Sequence, residues 1–372
     1  MAKLSYTELK TLVASVVTAS KISNGTFSVT RDNIVGLVDK IGKIHTIDTF
    51  YNVDKLALFD GEFLSFGKTI EEWQQDLIMP VSFDSTGANA LAPHYPTYRP
   101  PFYSYTLGRK VIATSLPNGN IERAVHNEGQ LAEIVSMNIK RLQDSMAVYR
   151  YGLKREMLAK FISMVEATRA GSVAVFASST AYTTGTLLKD NATPTAWGIV
   201  VKDIGASDYA TWADAVAGGA IIVYDNVSIL AKPVDTSTGE AFIEQVKKDV
   251  EKAGDLSEGY SLNGNSLGAV DGLALIVVQG IMPSIEVAVQ AGAFHGDKVA
   301  VPADVIVVKD FGSNNTGVYA VLMDKRAMRL HNTYRAVREN LNGEGDFLNL
   351  FSHTEDTAWI SRNCFFKIYK PS

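Results

Sequence analysis

Over residues 130–167 the apolar side chains Leu131, Val135, Ile139, Leu142, Met146, Tyr149, Leu153, Met157, Phe161 and Val165 recur at steps of three or four. That spacing lays one stripe along an α-helix, and no proline interrupts it. At about 1.5 Å per residue the helix reaches roughly 57 Å, longer than one small core can cover. Lys140, Arg141, Asp144, Arg150, Lys154, Arg155, Glu156 and Lys160 fill other positions, so the segment is no membrane span. Its basic residues are expected to face solvent or to pair with acidic neighbours. Gly152 interrupts the run, which predicts a bend or a close neighbour. A strut of this length predicts an extended subunit that buries surface against copies of itself.

The remaining patterns are shorter. Residues 5–19 and 31–41 read as two amphipathic helices around an Asn24-Gly25 turn, the first lined by Leu9, Leu12, Val13 and Val16. They predict an arm that docks on a larger body. Strand-like stretches at 62–66, 69–83 and 102–114 flank a segment, 82–101, that holds Pro93, Pro96, Pro100 and Pro101 beside Tyr95, Tyr98 and Arg99. Prolines exclude a helix or central strand there, and the aromatics are too apolar for a solvated linker. A long projecting hairpin is expected, with Trp73, Tyr95, Tyr98, Arg99, Phe102 and Tyr103, together with the arm's Leu9, Leu12, Val13 and Val16, as the candidate subunit interface.

After a Ser/Thr/Ala-rich stretch to 196, strands and helices alternate: strand 199–201, helix 209–217, strand 220–224, helix 239–253, strand 273–278, helix 283–291 and strand 304–308. Strands at 318–323, 327–338 and 357–369 close the chain, with Asn342, Gly343 and Gly345 as turn residues. The class is α+β, and the last strands are expected to pack with the long helix as one discontinuous domain.

Composition narrows this modestly. A 46% hydrophobic and 20% charged chain of net charge −5 is an ordinary folded protein with no bias of its own towards nucleic acid. One cysteine, Cys364, excludes an intrachain disulfide framework and predicts a reducing compartment. Glu8 falls where a signal peptide needs an apolar run, and no window is apolar enough to cross a membrane.

Candidate chemistry is sparse. Residues 264–268, Gly-Asn-Ser-Leu-Gly, match the G-x-S-x-G nucleophile elbow, but a polar loop precedes Ser266 and an apolar strand follows it, the reverse of what that elbow requires. The six histidines lie too far apart for a metal-binding spacing. Cys364 sits in an apolar run and reads as core. Glu71 and Glu72, adjacent on an extended chain, face opposite sides and read as solvated or interface carboxylates rather than an acid/base pair. No catalytic, cofactor-binding or metal-binding residue is expected.

Arm, long hairpin, strut helix, inserted α/β part and closing strands come in the order of the HK97-like major capsid protein fold. Three stretches carry a closer likeness: 64–72 (Leu-Ser-Phe-Gly-Lys-Thr-Ile-Glu-Glu), 304–312 leading to 321–325, and His353 through Trp359 to Ser361 and Arg362. Through them the chain resembles the major head proteins of phi29-like short-tailed phages. The resemblance implies an N-terminal arm over 1–58, a long hairpin (the E-loop) over 59–118, and the spine helix with the first part of the P-domain over 119–200. The A-domain would cover 201–325 and the closing strands of the P-domain 326–372. It also implies a virion protein assembled in the host cytoplasm into pentamers and hexamers of an icosahedral or prolate shell. Scaffolding protein and portal are the implied partners, with packaged double-stranded DNA touched non-specifically at most, and no membrane. Some relatives append an immunoglobulin-like domain, which is not expected here. An encapsulin-type compartment shell is the alternative within the fold, and a serine hydrolase using Ser266 the alternative from another class.

Overall fold

The computed structural model describes residues 54–75, 80, 83, 85, 87, 98–99, 104–117, 128–283, 303–312, 317–345 and 347–371. The predicted strut is helix α1 (Glu128–Ala167), 40 residues long. At 1.5 Å per residue that is about 60 Å. Its stripe does what the spacing requires: Ile139, Leu142, Met146, Leu153, Met157, Phe161 and Val165 are all buried. No close neighbour within the subunit demands glycine at Gly152, where an added Cβ would meet nothing within 4 Å.

The C-terminal half of α1 packs on a five-stranded sheet. In spatial order its strands are β10 (Val227–Ile229), β16 (Phe366–Lys370), β13 (Ala320–Asp324), β11 (Leu273–Val278) and β12 (Asp304–Val308). Alternate side chains go to opposite faces. Ile276, Val321, Met323, Phe366 and Ile368 join Leu153, Met157, Phe161 and Val165 of α1 in one core. Leu275, Val277, Leu322 and Tyr369 form a second core with Phe242, Ile243 and Val246 of helix α3 (Thr236–Ala253). A sheet covered on both faces explains why residues 273–278 are continuously apolar. Asp235 caps α3, its carboxylate accepting from the Thr238 amide at 2.8 Å, so the helix starts before the expected residue 239.

A second five-stranded sheet is built on a long antiparallel hairpin, β14 (Met328–Asn342) and β15 (Phe347–Ile360). Asn342 makes the turn, its Oδ1 accepting from the amides of Glu344 and Gly345 at 3.1 and 2.9 Å. The strand expected over 357–369 is in fact two: β15 ends at Ile360, and β16 restarts at Phe366 in the other sheet. Between them Ser361 and Asn363 are buried and turned onto side-chain partners instead of a ladder. Thus β16, from the closing segment, lies between β10 and β13 of the inserted part.

The projecting segment also differs from expectation. Strand β1 (Asp60–Phe63) runs parallel to β14, while β4 (Ser104–Thr106) and β5 (Lys110–Pro117) pair with β15. Among the described residues the two legs form a strand pair only where β2 (Gln74–Gln75) meets β3 (Tyr98–Arg99). The continuous strand expected over 69–83 is absent among the described residues, because the edge of the β14–β15 hairpin takes the pairing capacity at the base.

A smaller unit follows α1: strands β6 (Ala174–Val175), β7 (Leu187–Lys189), β8 (Trp197–Val200) and β9 (Ile221–Val223) with the short helix α2 (Trp212–Ala217). Leu188, Val200, Ile204, Trp212, Ala215 and Ile221 give it a core of its own. Thr211 and Asp214 form a reciprocal cap, which starts α2 at 212 rather than 209. The helices expected over 5–19 and 31–41, and the one over 283–291 beyond Pro283, lie outside the described residues.

Candidate assembly surface

The base of the projecting segment is fixed by charge. Lys154 of α1 is fully buried, and its Nζ meets Asp54 Oδ2 at 2.5 Å and Asp60 Oδ1 at 2.8 Å. Arg150, one turn earlier, reaches Asp60 Oδ1 at 3.1 Å and Asp356 Oδ1 at 3.7 Å. Arg155 pairs with Asp310. These residues of the helix are therefore committed to acidic neighbours, and Lys154 does not lie on a solvated face.

Further out, Glu355 on β15 holds both legs. Lys68 of the rising leg bonds one oxygen, and Arg109 of the falling leg lies 3.5 Å from the other while stacking 4.0 Å over Tyr334. The hydrogen bond and charge of Lys68, with Arg109 behind it, keep the Glu355 carboxyl below its usual range against the opposing effect of burial. Lys68 O accepts from Thr106 and Thr357 at 3.3 and 3.2 Å, and Ile70 N donates to Ser104 Oγ at 3.0 Å. Glu72 Oε1 accepts from Ser361 Oγ at 2.6 Å and Asn363 Nδ2 at 2.9 Å, and Gln74 Oε1 accepts from Asn265 Nδ2 at 2.7 Å.

Among the charged and polar side chains that the segment turns outward stand large apolar ones. Phe66 is 96% exposed, Phe83 93% and Trp73 62%, and Phe63, Tyr105 and Val111 are also exposed. Large aromatic area in water on a polar-fastened projection is the chemistry of a surface awaiting a partner. Of the residues expected at the interface, Trp73 is therefore solvent-facing in the subunit. Tyr98 and Arg99 form β3. Leu9, Leu12, Val13, Val16, Tyr95, Phe102 and Tyr103 lie outside the described residues.

The elbow-like motif is a loop. Gly264 has φ +67°, and a Cβ there would meet the Ile199 side chain at 2.3 Å, so glycine is demanded by packing. Ser266 Oγ donates to the Glu258 carboxylate at 2.9 Å, with no imidazole partner among the described residues. His331 and His353 lie on β14 and β15, His331 against the Glu62 carbonyl at 3.0 Å. Burial, aided by the charges of Asp324 and Glu72, pushes the Cys364 thiol up to about 11, far from a nucleophile's range. Among the described residues no cluster of acidic, histidine or cysteine side chains is placed to hold a metal, and no helix is long and apolar enough to cross a membrane.

A sequence model of the Phi29-like phage major capsid protein family matches residues 5–196 and 236–364. The chain belongs to that family. This capsid protein is thus a structural shell protein and not an enzyme, and it associates with copies of itself in the capsid of a virion. The serine-hydrolase and encapsulin readings find no support. Its fold is the HK97-like α+β fold. Over 88% of each chain it resembles a chain in the solved "Structure of head fiber and inner core protein gp22 of native bacteriophage P68", with a TM-score of 0.55 at 11% identity. The "Capsid structure of Staphylococcus phage Andhra" is similar with a TM-score of 0.50 at 11% identity, over 87% of this chain and 84% of that one. Comparison with curated proteins finds no match.

Sequence reasoning missed Lys154, Glu355 and the Glu72 contacts as fixing points. Lys154 carried a weak signal as a lysine within a helix whose turns above and below are apolar. Glu355 carried none, since both its cations lie in the distant legs.

Proposed function

We propose that the projecting segment over 59–118 is the element by which this capsid protein grips its neighbour within pentamers and hexamers. The observation that carries this is the pairing of a charge-fixed base, at Glu355 and Lys154, with the exposed Phe66, Trp73 and Phe83 beyond it. Each large aromatic buried on association contributes about 1.5–3 kcal/mol, and the contribution repeats at every subunit. Tyr95, Tyr98, Arg99, Phe102 and Tyr103 belong to the same surface on this reading. Leu9, Leu12, Val13 and Val16 of the arm dock on a neighbouring subunit, since a helix that short is marginal alone. The division into arm (1–58), hairpin (59–118), spine with first P-domain part (119–200), A-domain (201–325) and closing strands (326–372) follows from the family likeness. So do assembly in the host cytoplasm on a scaffolding protein, a portal at one vertex, and double-stranded DNA enclosed with non-specific contact only.

The test replaces residues 85–98 by a short Gly-Ser turn. Circular dichroism and melting should stay near those of the parent while shells fail to form. A variant that assembles as robustly as its parent, or that loses its fold, overturns the reading.

A further inference from the structure

Where residues 71–75 cross the loops 261–266 and 361–364, one carboxylate oxygen is held and its twin is not. Glu72 Oε1 takes both donors, Ser361 Oγ and Asn363 Nδ2, whereas Glu72 Oε2 is buried with none among the described residues. Asn265, only 3% exposed, repeats the pattern. Its Nδ2 donates to Gln74 Oε1 and to Asn363 Oδ1 at 2.8 Å, and its Oδ1 is buried without a donor. Asn263 Nδ2 also donates to Asn363 Oδ1, at 2.6 Å, so the loop side of the contact is preassembled. A buried acceptor without a donor offsets the gain from the bonds its partner atom makes. The contact therefore holds the leg at less than full strength. Beside it, Trp73 and Phe66 stand in water and gain only by moving onto another surface.

We infer that Glu72 and Gln74 form a releasable latch: they fasten the rising leg to Asn265, Ser361 and Asn363 in the free subunit, and let go when a second copy takes up the leg. The inference rests on the reading of the hairpin as the assembly element. The chain carries its own reporter. Cys364 is the single cysteine, is partly buried, and lies three residues beyond Ser361, one of the groups that hold Glu72, within reach of the Glu72 charge. Lifting the leg takes the Glu72 charge away from that thiol and should leave it more open to a reagent.

The experiment measures alkylation of Cys364 by iodoacetamide in the free full-length subunit, for the parent, Glu72→Ala, Gln74→Ala and Glu72→Gln. All are first shown to share the parent's circular dichroism and melting midpoint. Glu72→Ala should label about tenfold faster or more, Gln74→Ala less so, and Glu72→Gln, which keeps an acceptor oxygen for Ser361 and Asn363, faster only by the small amount that losing the charge beside the thiol brings. Glu72→Ala should also form shells at a lower subunit concentration, because its latch is already open. Unchanged labelling in both alanine variants shows that these residues do not hold the leg, and sinks the inference. Faster labelling with assembly lost makes the contact a fixed positioning element, which sinks the releasable part. Neither labelling outcome depends on assembly, so failure of the hairpin reading itself, seen in the shortened variant, is separately recognisable.

Discussion

Phe161 and Phe366 stack face to face, their ring centroids 3.8 Å apart and their planes 9° from parallel. One belongs to the C-terminal part of the spine helix and the other to the last strand, so this contact closes the chain on itself. Both are fully buried in the core shared by α1 and the β10–β16–β13–β11–β12 sheet. Phe161→Ala leaves a ring-sized void there and should cost about 3–5 kcal/mol of stability. Urea denaturation of the unassembled subunit would measure it. A loss below about 1 kcal/mol would mean that the helix does not depend on the closing strand.

Lys154 offers a sharper case, because its charge is buried between two aspartates. Lys154→Met keeps most of the apolar stem but takes the cation from Asp54 and leaves Asp60 with Arg150 alone. Breaking a buried pair from one side costs about 3–5 kcal/mol, and Asp60, partly exposed, recovers some of that through water. The expected result is a clear fall in melting temperature, largely restored in the triple variant Lys154→Met, Asp54→Asn, Asp60→Asn. If the single variant melts with the parent, the pair contributes nothing.

These two contacts mark what could and could not be read beforehand. The spine helix was legible because its stripe is long and unbroken, and β11 and β12 because a doubly covered strand is continuously apolar. In the β14–β15 hairpin the first strand and its turn at Asn342 were legible, but β15 was not, since residues 349–357 are largely polar and break the period-two pattern. Thr354, Glu355 and Asp356 are nonetheless buried, with Asn332 Nδ2 donating to Thr354 Oγ1 at 2.9 Å and to Asp356 Oδ1 at 3.1 Å. Hydrophobicity cannot announce a strand buried by such hydrogen bonds. Nor does any local pattern pair Lys154 with Asp54, a hundred positions away. The latch residues stayed hidden because an isolated Glu, Gln or Asn has no signature.

Gly152 was expected to allow a bend or a close neighbour, and among the described residues no neighbour within the subunit approaches it. Gly152→Ala should therefore stabilise the free subunit by about 0.5–1 kcal/mol, through helix propensity alone. The informative comparison is with shells. If assembly is impaired while the subunit melts higher, a neighbouring copy approaches the helix at this position. Destabilisation of the free subunit would refute the open space seen around it.

The pH dependence of stability should be a plateau with two distinct edges. On the acid side, burial opposes ionisation of Asp225, but the charge and hydrogen bond of Lys367, with the bonds from Tyr260 and Lys252, outweigh it and hold the carboxyl below its ordinary 3.8. A carboxyl lowered in the folded state contributes stability that is present above 3.8 and is lost as pH falls through the lowered value. Glu355 and Asp310 are lowered too, so the acid edge is shared. On the alkaline side, burial raises the phenols of Tyr224, Tyr260, Tyr319 and Tyr369 above their ordinary 10.0, with Asp225 and Asp249 adding to the rise at Tyr260 and Asp249 at Tyr369. An acid raised in the folded state stabilises fully below 10.0 and loses that contribution as pH climbs beyond it. Urea midpoints of the free subunit should accordingly be level between about pH 5 and 9 and fall on both sides. Tyr369→Phe should soften the alkaline edge without moving the acid one. Asp225→Asn should lower the plateau, since Lys367 stays buried and keeps only Asp249, and should flatten the acid edge in part. An acid edge that stays as steep in Asp225→Asn as in the parent would place the responsible carboxylates elsewhere.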